Sequence, residues 1–379
     1  MLIYLGFSAI ATFLAALVLL RFGEASPAAV THLVFVIGIM PLIVGAITHF
    51  VPVLTRSGRA PRSLLLAPLG LQLAGWLAFL DFRGEMPAAV TAAIGALVIT
   101  VFLGGWLVLR ARRTLGRPHP GWRWYLAAVV FLAMALILVP AMNWWPQARP
   151  ELRLLHLHLN TLGFVGLTAL GTLQVLLPTV LGGPDADAAK RLQHDLPYAI
   201  GGVLMAGFGA AFWLPLALAL AGAALLAYVG FRILVSWLRR YGARALASDG
   251  VTAPLVGALC GFLLLLALGM AHGLGILAGR DAVPAFVVAF LLAMVTGALT
   301  QLLPVWLHRG KRTPARERMH AALRRGGVLR ALLFGLGGIL LGLGISEGIW
   351  SAVLGLLSFM IVLIRSLLGS SPARDPEDG

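Results

Sequence analysis

The sequence predicts an all-α, polytopic membrane protein with twelve transmembrane helices in three parallel four-helix pseudo-repeats. Three observations predict this class: the hydrophobicity of the chain, a series of apolar segments between short loops, and a helix end that recurs at a fixed interval. Hydrophobic residues occupy 60% of the 379 positions, charged residues occupy only 11%, and the mean hydropathy is +0.95. A water-soluble domain does not need this much apolar surface, so we expect a lipid bilayer around the protein.

Twelve apolar segments are long enough to cross a bilayer. Backbone polar groups in lipid must be paired within their own segment, so we expect each segment to be a helix. The predicted segments are residues 2–21, 28–51, 63–80, 88–109, 122–142, 152–181, 196–214, 216–238, 251–278, 283–307, 328–345 and 348–368.

The charge of the loops predicts the orientation of the chain. Loops after even-numbered segments are rich in Lys and Arg, whereas loops after odd-numbered segments are short and mixed. Basic loops face the cytoplasm, so we expect a multi-pass protein of the bacterial inner membrane with both termini cytoplasmic. The same bias explains the net charge of +15 without a nucleic-acid partner. Residues 370–379 are predicted to form a disordered cytoplasmic tail.

One helix end occurs three times. Residues 45–53 read GAITHFVPV, residues 171–179 read GTLQVLLPT and residues 297–305 read GALTQLLPV, so that both intervals are 126 residues. These ends close the second, sixth and tenth segments. Four crossings return a chain to its starting side, so the repeats are parallel. A single domain, residues 1–379, is then divided into pseudo-repeats 1–119, 120–246 and 247–369.

Histidines are the candidate functional residues within the segments. Polar side chains inside a membrane are costly and are often functional. His32 and His158 occupy matching repeat positions, and the third copy has Pro284. At 1.5 Å per residue, these two histidines and His272 lie about 6–9 Å inside the predicted outer ends of three helices. Neutral imidazole is a common ligand of haem iron and copper, so we expect the three to bind a metal. The alternative for each is a hydrogen bond to a helix carbonyl.

His156 and His49 are two further candidate ligands, and helix geometry limits which centre each can join. His156 lies about 200° around the helix from His158, so at most one of the two faces a shared centre unless the helix is unwound. His49 is a second candidate metal ligand, but it lies about 25 Å below His32 and cannot join the same centre.

The residues that follow His158 suggest a binding surface on the sixth segment. Asn160 adds a polar group, and Gly163, Gly166 and Gly171 leave room for a flat macrocycle such as haem beside the helix. Close helix packing through small residues is the alternative. No Asp or Glu is expected deep in a helix, which argues against a proton relay built on carboxylates.

At these residues the chain resembles the NnrS family of haem- and copper-containing membrane proteins. The resemblance rests on His156-Leu157-His158, then Gly163-Phe164, then Gly171 and Pro178. More distantly, the predicted architecture resembles the catalytic subunit of haem-copper oxidases and nitric oxide reductases. The tenth segment has no histidine before His308, so the full ligand set of those enzymes is missing. The resemblance therefore implies a reduced site with haem b, copper or both.

The resulting expectation is an inner-membrane haem- or copper-binding protein with its site in the outer leaflet. It would serve electron transfer or the response to nitric oxide, with NO or O2 as a gaseous ligand or an electron-transfer protein as partner. If it is an enzyme, we expect a haem/copper oxidoreductase. Two alternatives stay open: a transporter of a small solute, and a non-catalytic scaffold that has lost its metal ligands.

Overall fold

The computed structural model describes residues 1–22, 25–114, 116–183, 185–212, 216–277, 282–308, 310 and 313–368. Within these residues the regular secondary structure is entirely helical, which confirms the all-α prediction. The predicted tail, residues 370–379, lies outside the described residues.

Thirteen helical segments follow one another in the described chain, and α2, α6 and α10 each contain a π-helical stretch. The segments are α1 (Leu2–Phe22), α2 (Pro27–Leu54), α3 (Arg62–Phe82), α4 (Ala89–Arg112), α5 (Gly121–Trp144), α6 (Pro146–Val180), α7 (Ala188–Ala211), α8 (Leu216–Ser248), α9 (Thr252–Gly273), α10 (Ala282–Leu307), α11 (Pro314–Arg324), α12 (Gly327–Gly342) and α13 (Gly348–Leu368).

The chain is a multi-pass membrane protein by the length and composition of these helices. Eleven spans of the described chain are long and apolar enough to cross a bilayer, with α11 and α12 counted as one. The remaining long helix, α7, begins with a charged turn. Large apolar side chains are exposed along the helices, for example Phe102, Leu332 and Leu354. Exposed apolar side chains in this number fit a lipid environment.

Three helices depart from the predicted segments by eight residues or more: α7, α11, and α8, which continues to Ser248 where an end at residue 238 was expected. The seventh segment was expected from residue 196, but α7 begins at Ala188 and includes the charged residues that were assigned to a loop. Helix α11 was not predicted, because its sequence is strongly basic. Met319 and Leu323 are nevertheless buried, and the Thr313 hydroxyl accepts a hydrogen bond from the Arg316 N–H at the start of the helix. An N-cap of this kind stabilises a short helix end.

The chain forms two compact units. Unit 1 comprises Met1–Ser236 with Phe262–Val283, and unit 2 comprises Trp237–Gly261 with Pro284–Gly379. In unit 1, consecutive helices from α1 to α7 pack against one another. In unit 2, α12 packs against α13 and against the π-helical stretch of α10, and α11 packs against α10 and α13.

Three π-helical stretches interrupt the helices that end in the repeated sequence. They are Leu33–Ile39 in α2, Leu159–Gly166 in α6 and Phe286–Leu292 in α10. A π-helix bonds each N–H to the carbonyl five residues earlier and is frequent at functional sites. Each stretch is followed by a regular α-helix that contains the repeated glycine and proline.

The stretch in α2 has a visible cause. Pro41 has no N–H, so the carbonyl of Ile37 lacks its α-helical donor. The Gln72 side chain of α3 supplies a donor instead, with Nε2 3.1 Å from that carbonyl oxygen. Gln72 also donates to the Ser8 hydroxyl at 2.6 Å and accepts a hydrogen bond from Tyr4 at 2.9 Å. A buried polar side chain on α3 therefore stabilises the irregular backbone of α2.

Candidate functional site

Four histidines of unit 1 form the candidate site, and we call His32, His156, His158 and His272 the histidine cluster. His32 and His158 are each the last residue before a π-helical stretch, in α2 and α6 respectively. His272 lies in the last turn of α9. In α2 and α6 the π-helical stretch thus begins at the residue that follows a histidine.

The four histidines fall into two neighbouring pairs. His32 of α2 lies in the neighbourhood of His156 of α6, and His158 of α6 lies in the neighbourhood of His272 of α9. Because His156 and His158 point to different sides of α6, that helix contributes one member to each pair. The structure does not gather three ligands: among the described residues, no group of three or more His, Cys, Asp or Glu could hold one metal ion.

All four rings use the same nitrogen for a hydrogen bond to a backbone carbonyl. Nδ1 lies 2.8 Å from the Ala28 oxygen in His32, 2.8 Å from the Ala135 oxygen in His156, 2.9 Å from the Leu154 oxygen in His158 and 3.0 Å from the Leu277 oxygen in His272. A carbonyl can only accept, so Nδ1 must carry the proton. In the neutral ring Nε2 then has a free lone pair, which is the tautomer that binds a metal through Nε2.

Neighbouring groups fix the positions of two of these rings. His156 bonds across to α5, and the backbone carbonyl of His156 accepts a hydrogen bond of 2.8 Å from the Asn160 side chain. The His32 ring lies 4.3 Å from the Phe82 ring, measured between centroids. Asn160, an expected member of the site, thus binds the backbone rather than facing the rings with its amide N–H.

His49 stands apart from the cluster. It lies in the α-helical part of α2 beyond the π-helical stretch, where its side chain is exposed and its ring makes an edge contact with Phe50 at 5.2 Å. No described residue makes it part of a metal-binding group of three or more.

The glycines of α6 do not leave a cradle for a macrocycle. A Cβ atom at Gly163 would lie 2.8 Å from Phe131, one at Gly166 would lie 3.2 Å from Phe262, and one at Gly171 would lie 2.7 Å from Trp124. Aromatic side chains of neighbouring helices therefore fill the space that the sequence assigned to haem. The expected haem therefore does not fit at these glycines, whereas the donor set of four imidazoles fits copper.

The expectation that no carboxylate lies in a helix interior is wrong. Asp195 of α7 is completely buried, and Nε of Arg232 in α8 lies 2.9 Å from its Oδ1. Arg191 of α7 is buried as well and pairs with Asp185 at 3.0 Å. The four-residue spacing from Arg191 to Asp195 is typical of a helical pair and could have indicated that α7 starts early.

Comparison with known proteins gave no relative: no protein-family model matches the chain, and no curated protein matches it.

Proposed function

We propose that the chain is an inner-membrane protein that binds copper through the histidine cluster. The observation that carries this proposal is the shared hydrogen-bonding pattern of the four rings. Each Nδ1–H is bonded to a carbonyl, so each Nε2 can offer a lone pair. Metal-binding histidines are typically oriented by such a bond on the other ring nitrogen.

In this proposal each pair of neighbouring histidines supplies the protein ligands of one site. His32 with His156, and His158 with His272, would each supply two imidazole nitrogens to hold copper. The bound metal would supply one-electron redox chemistry and a binding position for NO or O2, in electron transfer or in a response to nitric oxide.

The three-repeat architecture is part of the same proposal. The π-helical stretches begin at residues 33, 159 and 286, close to the interval of 126 residues that separates the repeated helix ends. This spacing supports an ancestral four-helix unit that occurs three times, with the matching histidines His32 and His158 in the first two copies. The positive loops support an outer-leaflet position for the cluster.

The proposal is tested by the metal content and the optical spectrum of the protein purified from cells supplied with haem and copper. We expect bound copper, and a haem spectrum in place of copper would contradict the filled space beside α6. His158→Ala should remove metal from its pair, because one of two ligands is lost.

His49→Ala is the matched control, since His49 is an exposed histidine of α2 outside the cluster. A colourless, metal-free wild-type protein would refute the proposal. Equal metal loss in His49→Ala would also count against it, because the cluster would then not be the site.

A further inference from the structure

A second polar site lies in unit 1 at the other end of α6, where α7 begins. Its first part is the ion pair between Arg191 and Asp185, in which the Arg191 guanidinium is hydrogen-bonded to three neighbours. Arg191 donates to Asp185 at 3.0 Å, to the Gln174 side-chain oxygen at 2.9 Å and to the Ser236 hydroxyl at 2.8 Å. Three donors of one buried guanidinium are thus satisfied by three neighbours, which is the usual arrangement of a structural ion pair.

The second part of the site is incomplete. Oδ1 of Asp195 accepts a hydrogen bond from His194 Nδ1 at 3.1 Å, and Arg232 Nε lies 2.9 Å away without hydrogen-bond geometry. Oδ2 of Asp195 is buried and has no hydrogen-bond partner among the described residues, and neither has Nε2 of Gln174. A buried carboxylate oxygen without a donor is costly, so a structural role alone does not explain it.

His194 connects this buried carboxylate to the surroundings. The His194 side chain is 47% exposed, whereas the Asp195 side chain is 0% exposed. The imidazole is stacked on Tyr198, with 5.2 Å between ring centroids, and Tyr198 in turn contacts Tyr228. One ring nitrogen therefore faces the buried carboxylate, and the ring as a whole remains accessible from outside.

We propose that His194 and Asp195 form a proton-transfer site in which a proton from water enters the protein. The proton binds Nε2 of His194, and the Nδ1 proton moves to Oδ1 of Asp195. The imidazole is again neutral with its proton on Nε2, and Asp195 becomes a neutral carboxylic acid. Two bonds to hydrogen form, Nε2–H and Oδ1–H. Two bonds break, Nδ1–H and an O–H bond of the hydronium ion that delivers the proton and leaves as water, so that the net change is one proton transferred.

The charges around Asp195 allow both protonation states. Arg232 on α8 and Arg191 on α7 favour the carboxylate, and Asp185 before α7 offsets the charge of Arg191. The complete burial of Asp195 favours the neutral acid. Since the basic loops place this end of the bundle in the cytoplasm, the proton would come from the cytoplasmic side.

Infrared difference spectroscopy of the purified full-length protein after a pH jump tests this site. We expect the C=O band of a neutral carboxylic acid to appear as the pH falls, and Asp195→Asn to abolish it. Asp185→Asn is the matched control and keeps the band. In His194→Gln the band forms about a hundredfold more slowly, because the shuttle is lost, while its final size is unchanged.

Three results would overturn the proposal: no titrating band in the wild type, a band that persists in Asp195→Asn, or an unchanged rate in His194→Gln. If Asp195→Asn does not fold, Asp195→Glu decides, because it must shift the band without removing it. The measurement does not involve metal, so its outcome is independent of the proposed metal binding.

Discussion

The π-helical stretch of α6 follows His158, and the stretch of α10 follows Ala285. The two backbones are similar in length, but their surroundings differ. In α6 the preceding turn carries two imidazoles, whereas in α10 the stretch itself contains two phenylalanines, Phe286 and Phe290, with 5.0 Å between their ring centroids. A π-helical backbone in this chain therefore does not depend on histidine. The irregular helix belongs to the fold, and a histidine precedes it in α2 and α6 but not in α10.

The contrast between α6 and α10 predicts its largest effect for metal binding. Each histidine pair should lose its metal independently of the other. We expect His272→Ala to lose the metal of the His158 pair and to keep that of the His32 pair, because the two pairs use different sides of α6. His32→Ala should give the converse result, and the double variant should be metal-free. Metal analysis of the three purified variants checks this, and complete loss in either single variant would indicate one shared site.

A smaller effect is expected from the glycines of the two helices. Gly171→Ala places a Cβ 2.7 Å from the Cβ of Trp124, so we expect a loss of about 2–3 kcal/mol in the free energy of unfolding. The matching Gly297→Ala meets Cδ2 of Leu255 at 3.0 Å and Cβ of Pro254 at 3.1 Å, which are longer contacts than at position 171, so we expect a smaller loss of about 1 kcal/mol.

Unfolding in detergent measures both changes, with Gly95→Ala as control because no atom lies within 4 Å of its added Cβ. An equal loss of unfolding free energy in Gly171→Ala and Gly297→Ala would show that the packing around α6 is no tighter than that around α10.

The stretch in α2 can be tested through the side chain that supports it. Gln72→Leu removes the donor to the Ile37 carbonyl, and we expect a cost of about 1–2 kcal/mol from the unpaired buried group. Ser8→Ala, which removes only one partner of Gln72, is the milder control. If Gln72→Leu leaves the free energy of unfolding unchanged, the π-helical backbone of α2 does not depend on a hydrogen bond from α3.

The smallest effect concerns unit 2, where Asp249 joins α8 and α9. Burial alone would raise the pKa of Asp249, but the N–H groups of Val251 and Thr252 and the Arg324 guanidinium outweigh it and hold the pKa below its usual value. A lowered pKa in the folded state contributes stability above the unfolded-state pKa of about 3.9, and this contribution is lost as pH falls through the folded value.

We therefore expect the stability of the wild type, but not of Asp249→Asn, to show this step at acid pH. Thermal unfolding across that pH range measures it. If stability depends on pH in the same way in both proteins, ionised Asp249 does not contribute to the stability of unit 2.

The sequence predicted most of the helices, because apolar length determines where a span lies. The segment 348–368 coincides with α13, whereas α7 was placed too late because Arg191 and Asp195 made its first turns look like a loop. The π-helical stretches have no signal in apolar periodicity, since these segments are apolar on every side, and Pro41 was the only local hint.

For the site, the rise per residue predicted a similar depth for His32, His158 and His272, and this depth stays a prediction. It could not predict that His156 lies near His32, because that contact depends on how α2 and α6 pack. Gln72 and Asp195 were missed for the same reason: their partners are distant in sequence, at Ile37 and Arg232.

The π-helical stretches also bear on how this gene can change length. A π-helical turn holds one more residue than an α-helical turn, so it can gain or lose a codon while both flanking helices keep their faces. The stretches start 126 and then 127 residues apart, while the glycines of the repeated ends keep a constant interval. Single-codon deletions within residues 159–166 are therefore expected to be tolerated better than deletions within residues 167–180, which a deletion scan scored by membrane expression would reveal.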